Sequence, residues 1–314
     1  PVCRCGRVGV ARVGGAGAPL APHPRGGGLV AVGKTTTPEW GKGAHTVDPV
    51  RGLTRNPWDP RLGAGGSSGG AAVALACGSV SVADGSDLGG SLRNPGSFNG
   101  VVGFRPTSGS IPHDVVRDAR IRMPMSGPLG RTVADVALLL GAMTDVAVSA
   151  APAPGKPRVA YSPDLGDLPL DPEVRAATQR AADLLADAGW DIVEACPDLS
   201  GADLCFEDLR GLFMALTSAD LADDERVKAT ARYEISLGLT LGADRITAAV
   251  EAEDRLRANW DRFFSAGRFD LFISATSQVP PFPVGLEWIS EVDGVRLDHY
   301  THWMRSCSRI TVPG

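Results

Sequence analysis

Two serines sit between glycines in this chain: Ser67 in Gly65-Gly66-Ser67-Ser68-Gly69-Gly70, and Ser91 in Asp87-Leu88-Gly89-Gly90-Ser91-Leu92-Arg93. Serine is a weak nucleophile at its free pKa. It becomes a good one when a neighbouring group takes its proton and an oxyanion site receives the charge developing on a carbonyl oxygen. Glycine supplies what that site needs: without a Cβ, the backbone turns sharply and aims its N–H groups at an anion. Gly89 and Gly90, directly before Ser91, suit that task. Acyl transfer through a serine is the chemistry these residues point to. Each has a plainer reading as well. The glycines suit an ordinary loop, Ser67 and Ser68 suit the cap of a following helix, and Asp87 with Arg93 suits a structural ion pair.

The serines are separated by an apolar, small-residue run, and the second turn is followed by Gly103-Phe104-Arg105-Pro106-Thr107. This ordered set resembles the signature of the amidase signature family of serine hydrolases. The resemblance implies an α/β fold, layered α/β/α, with a central mixed sheet covered by helices. It implies Ser91 as nucleophile and Ser67, after a cis peptide bond, as the relay of a proton between Ser91 and a lysine. The N–H groups of Leu88, Gly89, Gly90 and Ser91 would form the oxyanion hole, with Asp87 and Arg93 bracing the turn. The implied reaction is hydrolysis of linear carboxylic amides to carboxylate and ammonia or amine through a Ser91 acyl-enzyme. It needs no cofactor and no metal. The expected partner is a small-molecule amide, with a homodimer left open. The rival readings are an amidotransferase A-type subunit for aminoacyl-tRNA amidation and a non-catalytic amidase fragment or scaffold.

The implied base is the point of tension. The chain has four lysines, Lys34, Lys42, Lys156 and Lys228. None lies in an apolar segment ending Lys-Asp or Lys-Glu, where the resemblance puts the base. Lys34, in Val32-Gly33-Lys34-Thr35-Thr36-Thr37-Pro38-Glu39-Trp40, matches a family segment whose lysine is not the base. The expectation is that the base falls before residue 1 and that the domain is cut at both ends. Residues 1–38 contain no Asp or Glu, and residues 302–314 start like a late family helix without the strand that should follow. Residues 1–28 therefore read as an aberrant, wrong-frame segment and 29–314 as a partial amidase domain. Within it, residues 63–110 are the signature core and about 205–267 a helical insertion.

Composition fits a globular enzyme. Of the 314 residues, 43% are apolar and 21% charged, which are ordinary proportions. A net charge of −5 gives no reason to expect nucleic acid or an anionic membrane as partner. No apolar run approaches the ~18–20 residues of a membrane span. The six cysteines show no metal or redox spacing, which suggests a reducing, cytoplasmic setting. Cys77 reads as a small buried hydrophobe, and the five histidines are scattered.

Strands are expected at Leu29–Val32, Val80–Ala83, Arg158–Tyr161, Trp190–Glu194 and Phe269–Ala275. Helices are expected from Gly69 to Ala76, Val133 to Met143 (entered through Ser126–Leu129 and capped by Thr132) and Asp171 to Ala188, with two or three more in 205–267. The run Pro152–Pro157 reads as a linker inside one domain. Trp40, Met123, Met125, Trp288 and Trp303 suit a pocket wall or a core equally.

Overall fold

A computed structural model of the chain describes residues 29–111, 121–144, 146–151 and 155–314. The proposed aberrant segment 1–28 lies outside the described residues. The chain divides into two compact units. The first takes in residues to Ala150, Arg210–Thr240 and Pro281–Trp288; the second takes in Ala151–Leu209, Leu241–Pro280 and Ile289–Gly314. The first division thus falls at the start of the expected Pro-rich linker.

In the first unit, β1 (Val47–Asp48) and β2 (Gly52–Leu53) pair as a short hairpin. Then follow α1 (Gly69–Ala76), β3 (Val82–Asp87), α2 (Arg93–Asn99), β4 (Val102–Gly103), β5 (Met125–Gly130) and α3 (Val133–Thr144). The last three strands form an antiparallel sheet in the order β3-β5-β4, with Ala83 opposite Leu129 and Asp87 opposite Met125. Helix α1 is built of Gly, Ala, Val and Leu, so its backbone comes close to the sheet. Ala71, Ala72 and Leu75 pack there against Leu92 and Leu129. Thr132 caps α3 as expected. Its Oγ1 accepts from the Asp135 N–H at 3.1 Å, and Asp135 accepts in return from the Thr132 N–H at 3.0 Å. This reciprocal pair satisfies two donors at the helix start.

The second unit contains β6 (Arg158–Tyr161), α4 (Pro172–Asp187) and β7 (Asp191–Glu194). Three helices follow in the chain, α5 (Ala202–Ser218), α6 (Ala229–Leu239) and α7 (Ala243–Gly267), and then β8 (Leu271–Ile273). Strands β7-β6-β8 form a parallel sheet, the pairing that a strand–helix–strand crossover produces. The helical stretch expected over 205–267 does not stay together: α6 belongs to the first unit and α7 to the second. Toward the end of the chain come the hairpin β9 (Glu291–Val292) and β10 (Val295–Arg296), and α8 (Arg305–Thr311). Arg309 on α8 ties back to Asp203 and Asp167.

Helix α4 begins with Pro172 in its first turn, and Asp171 accepts from the Glu173 N–H at 2.9 Å. Asp171→Ala is expected to cost about 1 kcal/mol, read as a shift in the urea midpoint.

Several expectations need correction. Leu29–Val32 is not a strand; Val30 and Val32 are 83% and 78% exposed and no neighbouring strand pairs with them. The strand expected at Val80–Ala83 starts at Val82 and runs on to Asp87. Ser126–Leu129 is not a helix entry but the middle of β5, every residue of which is buried. Cys77 is exposed because it stands at the C-cap of α1, beyond the last packed turn. Among the described residues, no helix is long and apolar enough to cross a membrane.

Candidate active site

Strand β3 ends at Asp87, and after five intervening residues α2 begins at Arg93. The turn between them is organised around the Asp87 carboxylate, which is 1% exposed. Oδ1 accepts from the Gly90 N–H at 2.7 Å and Oδ2 from the Leu92 N–H at 3.1 Å. The Arg93 guanidinium donates to both oxygens, Nη2 to Oδ1 at 2.8 Å and Nε to Oδ2 at 3.0 Å. Burial alone would raise this carboxyl's pKa. The Arg93 charge and its hydrogen bonds, with Arg105 and the Gly90 N–H behind them, outweigh burial and hold it at about 2. The expected bracing pair is therefore an anion fixed at the heart of the Ser91 turn. Gly90 has φ +125°, a backbone angle that side chains other than glycine rarely adopt.

The other serine turn closes onto this one. The Ser68 N–H donates to the Ser91 carbonyl at 3.1 Å, bridging the two motifs. Around it, Thr46 Oγ1 donates to the Gly65 carbonyl at 2.7 Å, and Asn99 Nδ2 donates to the carbonyls of Ala64 and Pro95, each at 2.8 Å. The Gly66–Ser67 peptide bond is cis. Ser67 is 6% exposed, and Ser91 is half-buried at the end of its turn. Ser68 stands at the N-cap of α1, but its hydroxyl does not cap the helix; it lies 3.4 Å from the N–H and carbonyl of Ser86.

Of the four expected oxyanion donors, Gly90 is already engaged: its N–H belongs to Asp87. Leu88 is half-buried and Gly89 buried. Met123, Met125 and Trp303 are core residues, at most 3% exposed. Trp40 packs against the Met214, Leu221, Val227, Ala231 and Ile235 cluster and has φ +57°.

Two lysines come inward that the sequence did not mark. Lys42 is buried, with Nζ 2.9 Å from Met214 Sδ. Lys228, at the N-cap of α6, reaches Gly43, whose segment lies against Gly66. Lys34 is exposed. Nothing local to Lys228 in the sequence signals this placement, since the contact joins parts of the chain far apart.

The fold is that of an amidase, and comparison with known proteins agrees. The family model described as Amidase matches residues 23–311, and the chain belongs to that family. It is 40% identical over 201 residues to the indoleacetamide hydrolase of Bradyrhizobium japonicum, covering 58% of this chain and 43% of that protein. It is 39% identical over 186 residues to the A-type subunit of the glutamyl-tRNA(Gln) amidotransferase of Synechococcus sp. (strain RCC307), covering 54% of this chain and 39% of the relative. The matched regions thus span less than half the length of either relative. A solved amidase crystal structure superposes with a TM-score of 0.84 at 28% identity, over 95% of this chain and 68% of that one. The α/β amidase fold expected from the signature is borne out.

Proposed function

We propose that this chain carries the nucleophilic site of an amide hydrolase, with Ser91 as nucleophile and Ser67 as its proton relay. The observation that carries the reading is the Ser68 N–H bond to the Ser91 carbonyl, which brings the two serine turns together. In the proposed reaction, Ser91 Oγ attacks the amide carbonyl carbon as its proton passes to Ser67 and on to a base. The oxygen of the tetrahedral intermediate is received by the N–H groups of Leu88, Gly89 and Ser91. Collapse breaks the C–N bond, the returning proton leaves with ammonia or amine, and Ser91 keeps the acyl group as an ester. Water then hydrolyses that ester to the carboxylate. Preorganised N–H donors of this kind are worth about 3–4 kcal/mol each when aimed at the oxyanion. The rigid Asp87-centred turn is what would hold them so.

A second reading, as the A-type component of an amidotransferase, draws on the 39% identity to such a protein. One experiment separates the two. The purified chain is offered short aliphatic amides, aryl amides, indole-3-acetamide and glutamine, and ammonia is measured. Release from a free amide, with an acyl adduct on the Ser91 peptide in a hydroxylamine-sensitive mass shift, supports the hydrolase. Release from glutamine alone favours the amidotransferase reading. A folded chain that releases nothing from any of them leaves the scaffold reading in front.

A further inference from the structure

We infer that Lys228 is a positioning residue for the Ser67 turn, acting through the segment Gly43–Thr46 that lies between them. The inference rests on the reading of Ser67 and Ser91 given above.

The contacts run in one line through the first unit. Gly43 has φ +115°, and a β-carbon there would collide with Lys228 Nζ. The amine therefore fills the space beside Gly43 that a side chain would otherwise take. On the next layer, a β-carbon on Gly66 would lie 3.0 Å from the Ala44 carbonyl carbon, 3.1 Å from the Gly43 oxygen and 3.1 Å from the His45 nitrogen. The backbone of residues 43–45 is thus in direct contact with the residue that precedes Ser67. Thr46 completes the attachment with its bond to the Gly65 carbonyl. A shift of the amine moves Gly43, and a shift of Gly43 moves the Ser67 turn.

Lys228 is held from several directions. Its own N–H lies against the carboxylate of Glu39 and lowers that group's pKa against burial, while the buried Glu39 Oε1 has no hydrogen-bond partner. The Arg210–Glu234 ion pair, from α5 and α6, lies within electrostatic reach, as do Glu287 and the neutral-leaning His45. Glu287 is exposed and anchored by Thr230 Oγ1 at 2.9 Å. Burial lowers the Lys228 pKa below its ordinary 10.5, although Glu287, Glu234 and Glu39 oppose that and Arg210 adds to it. The charge beside Gly43 is therefore lost at a lower pH than that of an exposed lysine. A cation one backbone segment from Ser67 favours charge developing on the oxygens of the site. Its loss should slow the reaction without weakening substrate binding.

The test is the pH profile of kcat and KM for amide hydrolysis. Lys228→Met is expected to lower kcat about tenfold at neutral pH, as misplaced catalytic geometry does, with KM within about twofold. It should also abolish the alkaline limb of the kcat profile. Glu287→Gln changes an exposed side chain and so spares the core. By removing a carboxylate that raises the Lys228 pKa, it should move the alkaline limb downward in pH. Ser91→Ala is the reference. If it keeps activity, the reading of the site fails. If it abolishes activity while Lys228→Met or Glu287→Gln gives a profile superimposable on that of the native chain, the Lys228 inference alone is overturned. Should Lys228→Met not fold, Glu287→Gln decides.

Discussion

Ser91→Ala should abolish amide turnover, lowering kcat by about 10³-fold or more, as removal of a catalytic serine does, while the fold survives. The reason for the second half lies in the turn. Ser91 contributes its backbone carbonyl to the Ser68 N–H, and alanine keeps that carbonyl. Ser91 as a residue is half-buried rather than sealed in the core. Loss of its hydroxyl should therefore shift stability by no more than about 0.5 kcal/mol. Ammonia release and a urea melt on the same preparation check both halves. A variant that turns over amide at the native rate would move the nucleophile elsewhere.

Asp87→Ala should behave in the opposite way, failing first as a structure. The substitution removes the carboxylate that the Arg93 guanidinium, 15% exposed, holds at 2.8 Å, and strands the N–H groups of Gly90 and Leu92. Breaking one half of a buried ion pair typically costs about 3–5 kcal/mol. A urea titration should show that loss, and activity should fall with it because the Ser91 turn loses its centre. The pH dependence has a definite sign. The folded carboxyl titrates at about 2 against an ordinary 3.8. Its contribution is therefore complete above the ordinary value and is lost as pH falls toward 2. The shift corresponds to about 2 kcal/mol. The stability gap between the native chain and Asp87→Asn should narrow over that acid window and stay constant above it.

Elements whose stabilising pattern is local were readable from the sequence. Helix α1 and strand β6 fall at their expected ends, and α4 shows the Asp171–Pro172 start that its residues announced. Strand β5 was not readable, for a physical reason. Buried throughout, it has no alternation to detect, and it carries Gly127, Pro128 and Gly130 in the middle of a sheet. Proline in a central strand argues against a strand; here Pro128 lies opposite Asp84 on one neighbour, and its carbonyl accepts from Phe104 on the other side. Leu29–Val32 failed the other way: an apolar run is consistent with a strand only where a partner pairs with it.

The site divides along the same line. The serine turns could be picked out because glycine, serine and aspartate sit within a few residues of each other. The engagement of the Gly90 N–H by Asp87 could not, because the pattern does not say which way an amide points. The approach of Lys228 to Gly43 is carried by three-dimensional contact alone, so four lysines read in sequence gave no hint of it.

The Asp87 staple has a consequence for how the domain assembles. Its partners lie three to six residues away, at Gly90, Leu92 and Arg93, whereas the Ser68–Ser91 bond closes a far longer loop. Short loops close at low entropic cost and fast, and long ones wait for packing to hold them. Most of what shapes the elbow bearing Ser91 thus comes from its own neighbours in the chain, at the low closure cost of short loops. Sequence drift elsewhere can loosen the domain while this short stretch keeps its shape.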